Sequence, residues 1–228
     1  MSNNKKEVPL SSLDLEYWDK RWENNQAGWH KTEVHSLLAL HKKSYKEKGT
    51  VFFPMCGKAV DMKYMSDEGY NVVGIEYSKQ PVEEFFSEND IKFVVSKNGA
   101  YDTYKSEDGK ITIHCGDFFQ VKPEIVGKID GIWDRGALVA MNPSDRSKYS
   151  ATILNLTDKD TVYLIAGLSY DQNCHGGPPF SVPMETVEEL YGSTCDIETL
   201  LEAPNEFSMK KFKLDWWLDA LYKLNLKE

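Results

Sequence analysis

Apolar positions along this chain follow two patterns that alternate. Val51-Phe52-Phe53, Val72-Val73-Gly74-Ile75, Ile129 to Trp133 and Val162 to Leu168 are short continuous runs, as expected of strands covered on both faces in a parallel sheet. Between them the apolar spacing is helical. Ala59, Val60, Met62, Lys63, Met65 and Ser66 share one side of a helix that Gly69 ends. Pro81 to Phe86, with proline near its start, Pro143 to Leu156 and Met184 to Tyr191 read as further helices. Period-two alternation over Tyr101 to Lys105 and Ile111 to Cys115, around Ser106-Glu107-Asp108-Gly109, predicts a hairpin inserted on the third-strand side of the sheet. Strands near Asp196 to Leu201 and Trp216 to Leu224 bring the total to about seven. The succession predicts an α/β fold: a seven-stranded, mostly parallel, doubly wound Rossmann-like sheet with right-handed crossovers.

Ahead of the first strand the pattern is helical and aromatic. Ser12, Leu13, Asp14, Leu15 and Glu16 form a capping pattern before Tyr17, Trp18 and Trp22, which predicts a helix to Asn24 or Asn25. Asn25 to His30 reads as a loop, and Glu33 to Lys48, with Leu37, Leu38, Leu40 and Tyr45, as a second helix. We expect residues 12–48 to be a helical lid on one domain spanning residues 1–228, and the polar residues 1–11 to be a disordered tail.

Composition narrows the partners. The 228 residues are 41% hydrophobic and 12% aromatic, enough for one core. The 27 basic residues are outnumbered by 36 acidic ones and scattered, so no stripe tracks a phosphate backbone and no nucleic-acid partner is expected. Cys56, Cys115, Cys174 and Cys195 include no CxxC pair, and Cys174-His175 stands alone, so reduced thiols and no metal site are expected. With no stretch near 18 apolar residues, the expectation is a cytoplasmic monomer that does not enter a membrane.

Thr50 to Glu76 carries the first chemical signal: strand, glycine turn, helix, strand, carboxylate. Gly57 lies 19 positions before Glu76, the interval at which doubly wound folds place an acidic residue for ribose hydroxyls. One glycine stands where a dinucleotide site has three, which favours a ligand with ribose but no pyrophosphate. Asp134 and Arg135 fall at the carboxyl end of a strand, the edge where open α/β sheets bind ligands; they read either as a reacting site or as an ion pair bracing a turn. Asp117 in Cys115-Gly116-Asp117-Phe118 reads as a turn cap and, following a strand of a doubly wound fold, equally as a ligand contact. Trp18 and Trp22, four apart, usually signal core packing, yet indole faces also bind sulfonium cations and flat purines.

Taken together, FFPMCGKAVDMK (52–63), VVGIEYS (72–78), IWDRGALVAMNPSDRSKY (132–149) and LSYD followed by HGGPPFSVP (168–183), with YWDKRW and GWH near the amino terminus, resemble the thiopurine S-methyltransferase family. The resemblance implies a class I fold and methyl transfer from S-adenosyl-L-methionine to a small-molecule aromatic or heterocyclic thiol, giving a thioether and S-adenosyl-L-homocysteine without a metal. It implies that Trp18, Trp22 and Trp29 lie over cofactor and substrate mouth, Met55 and Gly57 beneath the methionine part, Glu76 on the ribose and Gly116 and Asp117 beside the adenine. Arg135 falls at the reacting end with Asp134 beside it, and Pro179, in the stiff Gly176-Gly177-Pro178-Pro179 turn, in a wall of the acceptor pocket. Two departures bear on the acceptor. Ser208-Met209-Lys210-Lys211 stands where the family often carries an arginine, which makes Lys210 or its neighbour Lys211 the candidate there, and Trp29 stands where vertebrate relatives have phenylalanine.

Three other functions fit parts of the pattern. Relatives of similar fold methylate inorganic sulfur, selenium or tellurium species, thiocyanate or halide, and the missing arginine suits that reading. A nicotinamide oxidoreductase is disfavoured by the single glycine. A cofactor-binding interaction module is disfavoured by the retained Asp134-Arg135 and the tryptophans.

Overall fold

The structure, a computed structural model, describes residues 14–227; the expected tail, and Ser12 and Leu13 of the capping pattern, lie outside them. In chain order come α1 (Leu15–Glu23), α2 (Ser36–His41), β1 (Thr50–Phe53), α3 (Val60–Asp67), β2 (Asn71–Glu76) and α4 (Lys79–Glu88). The hairpin region holds β3 (Phe93–Asn98), β4 (Tyr101–Ser106) and β5 (Ile111–Cys115), followed by the short α5 (Pro123–Val126). Then follow β6 (Gly131–Arg135), α6 (Arg146–Leu156), β7 (Val162–Ser169), α7 (Met184–Tyr191), β8 (Cys195–Pro204), α8 (Glu206–Phe212) and β9 (Leu218–Leu226).

The strands form one sheet in the order β3-β4-β5-β2-β1-β6-β7-β9-β8. Five central strands, β5, β2, β1, β6 and β7, run parallel, and β9 lies antiparallel between β7 and β8. The side chains of β1 and β6 alternate across this sheet. Val51, Phe53 and Trp133 pack with Met62, Met65 and Phe85 on one face, while Phe52 and Ile132 pack with Tyr149, Ile153 and Val187 on the other. Both faces are dry, which is why these runs read as continuous apolar stretches. The carboxyl ends of the central strands are left to the loops, and those loops carry the chemistry.

Four expectations need correction. The sheet has nine strands: the seven expected of this fold occur in the order β5-β2-β1-β6-β7-β9-β8, and β3 and β4 extend its β5 edge. The Tyr101 to Cys115 hairpin forms, but it is not simply an insertion, because β5 is itself the parallel neighbour of β2, pairing Val72 with Ile111 through Glu76 with Cys115. Glu33 to Lys48 is not one helix. It breaks after α2 and a 3-10 turn at Lys42–Ser44, because Tyr45 is drawn into the core, where its hydroxyl donates to the Ile132 carbonyl at 2.9 Å. The missed α8 is a short helix capped by Asn205, whose side chain accepts from Ser208 N–H.

Candidate active site

The turn between β1 and α3 is held in left-handed backbone: φ is +44° at Met55 and +51° at Gly57. A non-glycine residue in that region is strained. At Gly57 a side chain is excluded twice over, by φ and by Trp22, since a Cβ would fall 2.9 Å from the indole. The turn is tied to β2 through Glu76, whose buried carboxylate accepts from Gly57 N–H and from Ser78 N–H, each at 2.8 Å. Burial pushes the Glu76 carboxyl above its ordinary range, against the pull of the Ser78, Gly57 and Tyr77 backbone bonds. The carboxylate keeps acceptor capacity beyond these bonds. The Ser78 hydroxyl beside it is buried and has no partner among the described residues.

Gly116 and Asp117 follow β5. The Gly116 N–H donates to the Glu76 carbonyl at 2.8 Å, so this turn abuts the first. A Cβ at Gly116 would lie 2.6 Å from the Tyr101 ring. Asp117 caps a short 3-10 turn, accepting from Phe119 N–H at 2.8 Å and from Gln120 at 3.1 Å. The turn-cap role is therefore present, and the capping oxygens retain acceptor capacity.

Trp18, Trp22 and Trp29 pack edge to face. Trp29 stands 5.3 Å from Trp18 and 5.4 Å from Trp22, with the Arg21 guanidinium 5.0 Å above its ring. Trp22 is buried against Gly57, whereas Trp18 and Trp29 are half-buried. His30 stands 6.4 Å from Trp22; burial lowers its pKa, and the charges of Lys58 and Arg135 lower it further.

On β6, Asp134 and Arg135 face opposite sides. The buried Asp134 carboxylate accepts from Tyr149 at 2.6 Å, Tyr163 at 2.7 Å and Leu138 N–H at 3.0 Å. It braces the core rather than facing a ligand, and no ion pair joins it to Arg135 among the described residues. The half-buried Arg135 guanidinium has no hydrogen-bond partner or salt bridge among the described residues and is not sealed from solvent. Burial lowers its pKa, opposed by the charge of Asp61. Asp61, buried in the first turn of α3, accepts from His35 N–H at 2.8 Å and from Trp133 Nε1 at 3.0 Å. The patterning of the sequence did not single out Asp61 or His35: a carboxylate in a first helical turn ordinarily faces water, and both contacts bridge distant residues.

Two candidates lie apart. Lys210 is exposed on α8 and paired with Glu206 at 3.6 Å, and no contact with Arg135 exists among the described residues. Pro179 accepts from the Tyr170 hydroxyl at 2.6 Å. Tyr170 stacks 5.0 Å from Trp217, which stacks 4.9 Å from Phe212, so this loop and α8 form one wall.

Strand order, glycine turn and carboxylate define the class I methyltransferase fold, and solved structures agree. A 1,6-didemethyltoxoflavin-N1-methyltransferase from Burkholderia thailandensis, solved with S-adenosylhomocysteine, superposes with a TM-score of 0.62 at 14% identity, covering 94% of this chain and 88% of that one. A TehB-like SAM-dependent methyltransferase from Corynebacterium glutamicum superposes at 0.55, also 14% identical, over 93% of this chain and 97% of that one. Sequence is more specific. Residues 13–226 match the thiopurine S-methyltransferase family, and the enzymes of that name from Panthera leo and Canis lupus familiaris are 41% and 40% identical to this chain. Those alignments cover 94% and 92% of this chain and 91% and 89% of the relatives. The chain belongs to the thiopurine S-methyltransferase family, whose members are S-adenosylmethionine-dependent S-methyltransferases.

Proposed function

We propose that this protein transfers the methyl group of S-adenosylmethionine to the sulfur of an aromatic or heterocyclic thiol, as the names of its relatives indicate for them. The observation that carries this reading is the pairing of a strained turn, tied by Gly57 N–H to the Glu76 carboxylate, with a guanidinium on the strand beside β1 that has no partner among the described residues.

The residues suit the cofactor. The Ser78 hydroxyl, without a partner among the described residues, and the remaining acceptor capacity of Glu76 match ribose hydroxyls. Met55 and Gly57 border the methionine part, Gly116 and Asp117 the adenine, and Trp18, Trp22 and Trp29 cover both. When bound, S-adenosylmethionine supplies an electrophilic methyl on a sulfonium sulfur. The protein's part is to hold the acceptor sulfur about 3 to 3.5 Å from that carbon, in line, and to exclude water. Aromatic thiols ionise readily and the thiolate is the nucleophile, so the Arg135 cation favours the anion and orients it. The proton leaves to solvent before the displacement.

Calorimetric titration with S-adenosylhomocysteine and with NAD, then a radiolabelled methyl-transfer screen over thiols, tests the reading. Binding of the first alone, with label recovered in a thioether, is expected. Binding of NAD alone would overturn it. Lys210 is exposed and paired with Glu206 in place of the family's late arginine, which favours including selenium and tellurium oxyanions, thiocyanate and halide in the screen.

A further inference from the structure

His35, which packs against Trp133 on the face of β6 that Arg135 shares, is not yet used by the methyl-transfer scheme. It begins α2, and its Nδ1 accepts the Leu37 N–H at 3.3 Å. A nitrogen that accepts from a backbone N–H carries no proton, so the ring proton of neutral His35 belongs on Nε2. The ring is held from two further sides: it stands 5.4 Å from Trp133, near edge-on, and the His35 N–H is fixed to Asp61 Oδ1, whose other oxygen holds the Trp133 indole. Nε2 itself has no partner among the described residues and is not sealed from solvent. The charged groups acting on the ring are Asp61 on α3, Arg135 on β6 and Asp219 on β9. Burial lowers the His35 pKa, Asp61 and Asp219 oppose it, Arg135 reinforces it, and the net shift is downward. The imidazole therefore stays neutral at neutral pH and offers one N–H donor, fixed in direction, on the face of β6 that carries Arg135, whose guanidinium has no partner among the described residues.

Heterocyclic thiolates present a matching pair of acceptors: an anionic sulfur and, on the adjacent ring atom, a nitrogen with an in-plane lone pair. We propose that His35 is a specificity-determining residue whose Nε2–H donates to the ring nitrogen beside the carbon–sulfur bond, while Arg135 holds the sulfur. This rests on the methyl-transfer reading above. Benzenethiol offers the sulfur but no such nitrogen, so the protein discriminates between the two acceptor classes through His35.

The test compares kcat/KM for 2-mercaptopyridine and benzenethiol in the unmodified protein, His35→Phe and His35→Gln. Phenylalanine keeps a ring against Trp133 and has no N–H; glutamine restores a donor. The ratio of kcat/KM values, pyridine over benzene, should fall about tenfold in His35→Phe, mainly through KM, as expected for loss of one hydrogen bond. In His35→Gln it should recover in part. Should His35→Phe fail to fold, the Nε2 proton resonance of the unmodified protein carries the test: in the S-adenosylhomocysteine complex it should move downfield with 2-mercaptopyridine and stay in place with benzenethiol. Equal losses on both thiols, or an unmoved resonance, would assign His35 to capping α2 alone and overturn this inference while leaving methyl transfer intact. Failure of the unmodified protein to methylate either thiol would overturn both.

Discussion

Asp134 and Arg135 are adjacent in sequence and opposite in environment, because successive residues of a strand point to opposite faces. Asp134 receives two tyrosine hydroxyls and a backbone N–H in the core, so Asp134→Ala strands three donors. We expect it to lower stability by about 3 kcal/mol while leaving the Kd of S-adenosylhomocysteine near its original value; urea unfolding and calorimetry measure the two. Arg135→Ala should do the reverse, keeping stability and lowering turnover. With an aromatic thiol acceptor its pH–rate profile should shift its rising limb to higher pH, since the thiolate then forms without the cation, and Arg135→Lys should recover part of the rate. An intact rate and profile in Arg135→Ala would return the acceptor site to the region of Lys210. Glu76→Ala should weaken S-adenosylhomocysteine by about 2 to 4 kcal/mol, on the basis of one or two charge-assisted hydrogen bonds. An unchanged Kd would remove Glu76 from the ribose site.

Among the elements, α1 bears most directly on turnover. Asp14 caps it, accepting from Tyr17 N–H at 2.9 Å, and Trp22 anchors it over Gly57. We propose that α1 and the loop to Trp29 act as a lid completed by ligand. Trypsin should then cut at Lys20, Arg21 or Lys31 faster without S-adenosylhomocysteine than with it, and equal rates would assign the tryptophans to a static core. Elements were legible in the sequence where local pattern and tertiary setting agree. Thr50 to Glu76 was read from its apolar runs and glycine turn because both faces of β1 are buried as the runs imply. β3 was not, because Val94 and Val95 are exposed at a sheet edge and show no alternation. The helix expected over Glu33 to Lys48 fails at Tyr45 because a bond to Ile132, 87 positions away, outweighs helical propensity. The same distance effect hid Asp61 and His35: the glycine turn and the Glu76 carboxylate are local features, whereas the charges acting on His35 come from α3, β6 and β9.

At the scale of the molecule, stability depends on groups that burial has moved. His114, facing Thr103 at 2.9 Å across β4 and β5, is pushed down to about 4 by burial, from 6.5. Between those values the unfolded chain binds a proton that the folded one does not. The His114 contribution is therefore complete above pH 6.5 and lost as pH falls toward 4, by at most about 1.4 kcal/mol per unit. Glu76 and Asp134, raised by burial, act in the opposite sense, because a carboxyl that is harder to ionise when folded adds stability at low pH that is lost as pH rises. The difference between the unmodified protein and His114→Gln isolates the histidine. From pH 7.5 to 5.0 the variant should lose less stability in urea unfolding, and parallel losses would show that His114 ionises freely in the fold.

The indole cluster over the strained turn also makes the protein its own optical reporter. Three of its six tryptophans cluster beside the Arg21 cation, with Trp29 edge to face with Trp18 at 5.3 Å and with Trp22 at 5.4 Å, close enough to exchange excitation. A purine arriving against them replaces water at the half-exposed rings and opens a stacking route for quenching. Intrinsic emission should thus fall and shift to the blue as S-adenosylhomocysteine is added. Lid ordering and ligand occupancy then become readable from the same titration, at a single wavelength and without a label.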